Sequence, residues 1–235
     1  MSRNLAQRQR GASMMEFVIV FPVAVVFVLG LIQAGFMYMA KINVNHATFI
    51  AARAGAVNNA DPAVIRSAFL RGLSPFYQNA SIAGDTQRLA DALVSAQLDN
   101  LTPWRPDIEI LSPSAEAFQD FGVRDTTRRV TYIPNDNLEW RNQAIVGARS
   151  GVNIRDANLL KVRVVYGYEL KVPLMAGVLR RVMCSGSSGV EGFGNVSWLQ
   201  AIAPTSPHCL RYYMNGRVPI ESYAIVEMQT RAERP

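Results

Sequence analysis

Hydrophobic positions crowd into the first fifth of the chain. From Phe17 to Ala40 there are 24 residues without a formal charge (FVIVFPVAVVFVLGLIQAGFMYMA). At about 1.5 Å per helical residue this run reaches roughly 36 Å, enough to cross a bilayer core with some tilt. Beyond Lys41 the apolar pattern narrows to one face. Ala47, Ile50, Ala51, Ala54 and Val57 recur at helical spacing while Lys41, Asn45 and Arg53 occupy other faces, so the helix is expected to continue with a small-residue side suited to close packing. Asp61-Pro62 predicts a new helix start, an N-cap followed by proline at the first helical position, with Val64, Ile65, Ala68 and Phe69 inward. Asp85 is expected to cap a further helix that turns Leu89, Ala92, Leu93 and Ala96 inward.

The pattern then changes character. Pro103, Pro106 and Pro113 punctuate the stretch from Leu101 to Pro113, leaving room for a short strand, Ile108 to Leu111. The clearest two-residue alternation runs from Leu160 to Val172: Leu160, Val162, Val164, Tyr166, Tyr168, Leu170 and Val172 share one face, and Lys161, Arg163, Glu169 and Lys171 the other. Arg129 to Ile133 and Leu210 to Met214 are weaker strand candidates, and Asn215-Gly216 is a hairpin turn signal before a strand starting near Val218. The segment from Ser112 to Asn158 carries few periodic signals. These elements predict an α+β fold: a long N-terminal helix, then a helical segment, then a small antiparallel sheet.

Charge and cysteine content refine this picture. The formal net charge is +6, but Arg3, Arg8 and Arg10 account for half of it, which leaves 21 basic against 18 acidic groups in the remainder. No basic run is interleaved with aromatics, so nucleic acid is not an expected partner. The apolar run is longer than a secretory signal's apolar region and no small-x-small site follows it closely; the first such triplet is Ala52-Arg53-Ala54. Three arginines ahead of the run, against Lys41 and Arg53 behind it, favour a cytoplasmic N-terminus. The two cysteines, Cys184 and Cys209, both lie on the far side of the span. In an oxidising compartment a bridge between them would close a loop of about 25 residues and stabilise the fold by roughly 3 kcal/mol; the alternative is a pair of buried thiols.

Sites for chemistry are sparse. The glycine-rich stretch Gly186 to Asn195 lacks the Lys and Ser/Thr that a phosphate cradle needs and reads as a loop inside that ring. His46 and His208, the only histidines, sit in no nucleophile pattern and offer no paired metal-ligand spacing. Asp107 and Glu109 alternate as solvated carboxylates do. No cofactor or metal is expected. Within the span, Pro22 either kinks the helix or is tolerated, and Gly30 and Gly35 do not have the spacing of a small-xxx-small dimer face.

The polar residue that stands out is Glu16, directly before the apolar run. As a bland reading it is an interfacial carboxylate that reaches water. It also lies five residues after Gly11, which basic residues precede. If the chain is cut after Gly11, the new ammonium on Ala12 of a neighbouring helix can pair with Glu16 in a low-dielectric bundle and fix register.

Arg10-Gly11-Ala12-Ser13-Met14-Met15-Glu16-Phe17 and the helix that follows resemble a prepilin cleavage signature, and more closely the TadE-like pseudopilins of the tight-adherence (Flp, type IVb) pilus system. The stretch NHATFIAARAGA, Asn45 to Ala56, matches the Ala-rich continuation with its Ala-Arg-Ala pattern, and AIVEMQ, Ala224 to Gln229, loosely resembles a closing strand. The resemblance covers the first 60 residues well and the last ten loosely. It implies cleavage by a prepilin peptidase between Gly11 and Ala12, assembly roles for Glu16 and Phe17, a single inner-membrane span with the C-terminal region periplasmic, and a non-catalytic minor subunit working with other pilins and pseudopilins. The exported region is longer than in the smallest members, which leaves TadE-, TadF- and TadG-like roles open. The expected organisation is a leader over 1–11, a transmembrane and juxtamembrane helix over 12–60, a helical segment over 61–100 and a strand-rich exported domain over 101–235. The alternative is a membrane-tethered periplasmic enzyme or ligand-binding module with a passive anchor.

Overall fold

A computed structural model describes residues 9–79, 81–82, 84–142, 144–184 and 211–234. Helix α1 spans Gln9–Ala56 as one continuous 48-residue element with Pro22 inside it. Helices α2 (Pro62–Gly72), α3 (Ser74–Tyr77) and α4 (Asp85–Asp99) follow, and then strand β1 (Asp107–Ser112), α5 (Ala115–Phe121), β2 (Val123–Asp125) and β3 (Val130–Ile133). After α6 (Ile154–Ala157) come β4 (Leu159–Glu169), α7 (Met175–Cys184), β5 (Arg217–Glu227) and β6 (Ala232–Arg234). The strands form two three-stranded sheets, β1-β4-β5 and β2-β3-β6. The architecture is the expected mixed α+β class.

Two compact units emerge, one of residues 1–39 with 169–217, the other of residues 40–168 with 218–235. In the second unit the end of α1 lies against α2 and β4 because its residues there are small. A Cβ on Gly55 would stand 2.6 Å from Ile65 Cγ1 and 2.9 Å from Leu160 Cδ2, and one on Gly72 would stand 2.8 Å from the Cα of Ala47. Val44, Ala47, Thr48, Ala51 and Ala52 are buried on this face, whereas Val57, expected inward, is exposed in the turn that follows the helix. Asp61 caps α2 as predicted, its carboxylate accepting the N–H of Ala63 at 2.8 Å, and Ile65, Ala68, Phe69 and Leu70 are buried. The cap of α4 is Gly84, so Asp85 is its first helical residue, where a carboxylate still opposes the positive end of the helix dipole. Ala92 and Ala96 face inward; Leu89, expected inward, is exposed, since only a narrow stripe of the helix is covered.

β1 pairs antiparallel with β4, setting Ile108 opposite Val164 and Ile110 opposite Val162, with a register shift before Ser112. β4 carries the predicted alternation, with Leu160, Val162, Val164, Tyr166 and Tyr168 buried, but ends at Glu169 instead of Val172. On the opposite face Arg163 bridges both neighbouring strands, at 3.4 Å to Glu109 of β1 and 2.7 Å to Glu221 of β5. The second sheet is antiparallel throughout and sits by a small core of Ala117, Ile133 and Ala157 with Phe118, Phe121 and Val152 around it. The segment from Ser112 to Asn158 therefore holds α5, β2, β3 and α6. It is tied down partly by Asp120, whose carboxylate accepts the backbone N–H groups of Ser150 at 2.7 Å and Arg149 at 3.1 Å. Those bonds, the Ser150 N–H foremost, hold the Asp120 carboxyl below its ordinary range.

One strand expectation fails. Within Leu210 to Met214 the described residues form no strand; a 3-10 turn, Tyr213–Asn215, occupies its end, with Gly216 at φ 66° closing it before β5 begins. The Asn-Gly signal correctly marked a left-handed position but belongs to a helical turn, so the hairpin is not formed. Leu210 itself, Cys209 and Gly186 to Asn195 lie outside the described residues, as does the side chain of Cys184, so the disulfide expectation falls outside them too.

Candidate functional site

The N-terminal reach of α1 places all four expected processing and assembly positions on one helix. Gly11 and Ala12 lie in its first turns, with Glu16 and Phe17 immediately after. Glu16 is the only carboxylate in α1; it is exposed, and among the described residues no hydrogen-bond or ion partner meets it. Ala12 and Glu16 are four residues apart and thus share a helix face. Phe17 stacks on Phe21 one turn further on, ring centroids 5.2 Å apart and planes 27° from parallel, so its ring lies along the helix flank.

From Met14 to Ile32 almost every residue is exposed, and apart from Glu16, Pro22, Ala24 and Gly30 these are methionine, phenylalanine and branched aliphatics. So continuous an apolar surface has no reason to face water. Among the described residues α1 is the one helix long and apolar enough to cross a membrane, by length and composition. Leu29 and Gly30 are half-buried, and Gln33, 2% exposed, is the first buried residue of α1 among those described. Its side-chain carbonyl accepts the backbone N–H of Val172 at 3.0 Å, while its Nε2 has no partner among the described residues. Sequence reasoning passed over Gln33 because a residue without formal charge vanishes inside a run defined by the absence of charge.

Further along, the Ala-Arg-Ala motif divides its work by face. Ala52 is fully buried, Ala54 is half-buried, and Arg53 is exposed, its guanidinium carbon 5.8 Å from the Phe49 ring centroid. The carbonyl of Ala56, left without an intrahelical donor at the end of α1, accepts N–H groups from Gln229 at 2.9 Å and Thr230 at 3.1 Å. The motif thus provides close packing for the helix end, while the exposed stretch before it offers an apolar helix surface to other molecules.

A second cluster was invisible in the sequence. Tyr77, at the end of α3, donates its hydroxyl to Asp99 Oδ2 at 2.6 Å and lies 3.2 Å from the hydroxyl of Tyr166; Trp104 Nε1 donates to the other Asp99 oxygen at 2.9 Å. Phe76 stacks on Tyr166 at 5.7 Å. Burial, followed by the neighbouring Tyr166 and Asp99, pushes the Tyr77 hydroxyl far above its ordinary range, so it stays protonated and acts as a donor rather than a base. This arrangement ties α3, α4 and β4 together.

Residues 11–53 match the family model described as TadE-like protein. No curated protein and no solved structure matches the chain.

Proposed function

We propose that this chain, TadE-like over residues 11–53 and consistent with a protein of the tight-adherence system, is a minor pseudopilin: a non-catalytic subunit that helps assemble a type IVb pilus after losing its leader. The observation that carries the reading is the N-terminal half of α1, an apolar helix surface left uncovered by the described residues, with a solitary carboxylate, Glu16, one turn beyond Ala12. Prepilin peptidase cuts between Gly11 and Ala12. The helix remains in the inner membrane with the rest of the chain on the periplasmic side, and Glu16 meets the Ala12 ammonium of a neighbouring pilin or pseudopilin helix. In low dielectric such a pair is far stronger than in water, so it selects register as the helices slide together. Phe17 and the aliphatics after it supply the contact surface. Cys184 and Cys209 form a bridge in the oxidising periplasm. The organisation that goes with this is leader 1–11, membrane and juxtamembrane helix 12–60, and exported segments 61–100 and 101–235.

The test is the N-terminal sequence of the protein from its native membranes, with and without the prepilin peptidase. A chain starting at Ala12 only when the peptidase is present is the expected result. A chain that starts at Met1 or Ser2 in both cases removes the pseudopilin reading and leaves a passively anchored module.

A further inference from the structure

In the unit formed by residues 1–39 and 169–217, the segment that follows β4 docks on α1 where the exposed apolar stretch ends. That stretch, Met14 to Ile32, is 19 residues long with Glu16 as its one charged member, about 28 Å of helix, close to the roughly 30 Å hydrocarbon thickness of a bilayer. Gln33 comes next and holds the Val172 N–H. Five residues later, Tyr38 is exposed, an apolar ring with a polar tip of the kind enriched where membrane meets water. Two independent features of α1 therefore put its exit from the hydrocarbon near Gln33, inside the uncharged run and short of its end at Ala40.

The segment fixed there exposes large apolar side chains. Leu174 is 68% exposed and Val178 is 43% exposed; Leu174 directly precedes α7, and its carbonyl accepts the N–H of Val178 at 3.2 Å. Met214, 51% exposed, sits on the 3-10 turn that packs on α7, with Gly216 close by Ala176. Met175 is buried, so among the described residues α7 has a covered side and an uncovered apolar side. Leu174 also adopts φ 68°, a left-handed conformation that costs a branched residue without glycine's freedom, and it does so with its side chain outward.

We propose that α7 is an interfacial membrane element: Leu174, Val178 and Met214 dip into the periplasmic face of the same bilayer that α1 crosses, and the Gln33–Val172 bond sets their depth. The occupant of this apolar face is lipid, because the face is continuous, through that bond, with the helix surface that must itself meet lipid. The proposal rests on the membrane-span reading of α1.

The test uses the full chain reconstituted in phosphatidylethanolamine–phosphatidylglycerol vesicles, with a benzophenone amino acid placed in turn at Phe21, Leu174, Val178 and Met214. Irradiation should yield lipid adducts at all four. A second variant, Val178→Asp with the probe at 174, should lower lipid labelling several-fold at 174 and leave the Phe21 yield unchanged when the probe is moved there. Lipid adducts at Phe21 with none at 174, 178 and 214 overturn the interfacial proposal and leave the span intact. Adducts from 174 and 178 to protein, a second copy included, overturn it as well. Absence of lipid adducts at Phe21 removes the span reading, and the proposal with it.

Discussion

Tyr77 and Asp99 meet at 2.6 Å, hydroxyl to carboxylate, joining the ends of α3 and α4 across 22 residues of sequence. The other carboxylate oxygen holds the Trp104 indole, so a single side chain organises two aromatic donors. Asp99→Ala is expected to destabilise the fold by about 1–3 kcal/mol, because it strips two half-buried donors of their acceptor. Denaturant titration of the detergent-solubilised chain measures this. Asp99→Asn, which keeps an acceptor oxygen, should recover part of the loss.

The same pair makes stability sensitive to alkali. Tyr77 has its hydroxyl pushed above the ordinary 10.0, mainly by burial, so the folded state prefers the neutral form more strongly than the unfolded state does. The contribution is whole below about pH 10, where an unfolded tyrosine begins to ionise, and drains away as the pH climbs further. Melting temperatures across this window should fall for the parent chain and fall less steeply for Tyr77→Phe. Equal slopes would show that other groups carry the alkaline transition.

Gly72→Ala is expected to cost about 1–3 kcal/mol, since its new methyl would press on the backbone of Ala47, which cannot swing aside. Gly35→Ala is the matching control: nothing lies within 4 Å of its added Cβ, so its effect should stay within about 0.5 kcal/mol. Parallel unfolding curves for the two variants separate close helix approach from helix propensity.

Glu16→Ala should leave membrane insertion and cleavage unchanged but remove the chain from the assembled machine, read by co-purification with pilus components from native membranes. Unchanged co-purification would return Glu16 to the role of a solvated carboxylate. Gly11→Ala should instead block cleavage and leave the leader attached, which a shift in N-terminal mass reports.

The elements legible in the sequence are those in which local chemistry and tertiary packing agree. Asp61-Pro62 carries its own cap, β4 needs only alternation to bury one face, and the apolar stretch of α1 is legible from composition. Where the reading went astray, distant partners decide. Tyr212 and Met214 look like strand residues, yet Tyr212 is buried and the turn beside it closes on Gly216, which favours a 3-10 turn. Leu89 has helical spacing but no neighbour among the described residues to cover it. Asp99, Tyr77 and Trp104 are unremarkable singly, and only the packing of α3 on α4 brings them together. At the candidate site Glu16 announces itself by interrupting an apolar context, whereas Gln33 is defined by Val172, 139 residues away, and no local pattern encodes that distance.

The closing of α1 has a consequence for timing. The donors that satisfy its terminal carbonyl at Ala56 come from Gln229 and Thr230, the latter 174 residues later in the chain. A ribosome delivers the helix long before it delivers its stopper. Until residues 229–234 emerge, the Ala56 carbonyl lacks these donors and β3 lacks its partner β6, so this unit cannot finish folding while its tail is still being made or moved. On the proposed reading, in which most of the chain crosses a membrane, that ordering acts as a built-in delay, keeping the chain pliable until transit is nearly done.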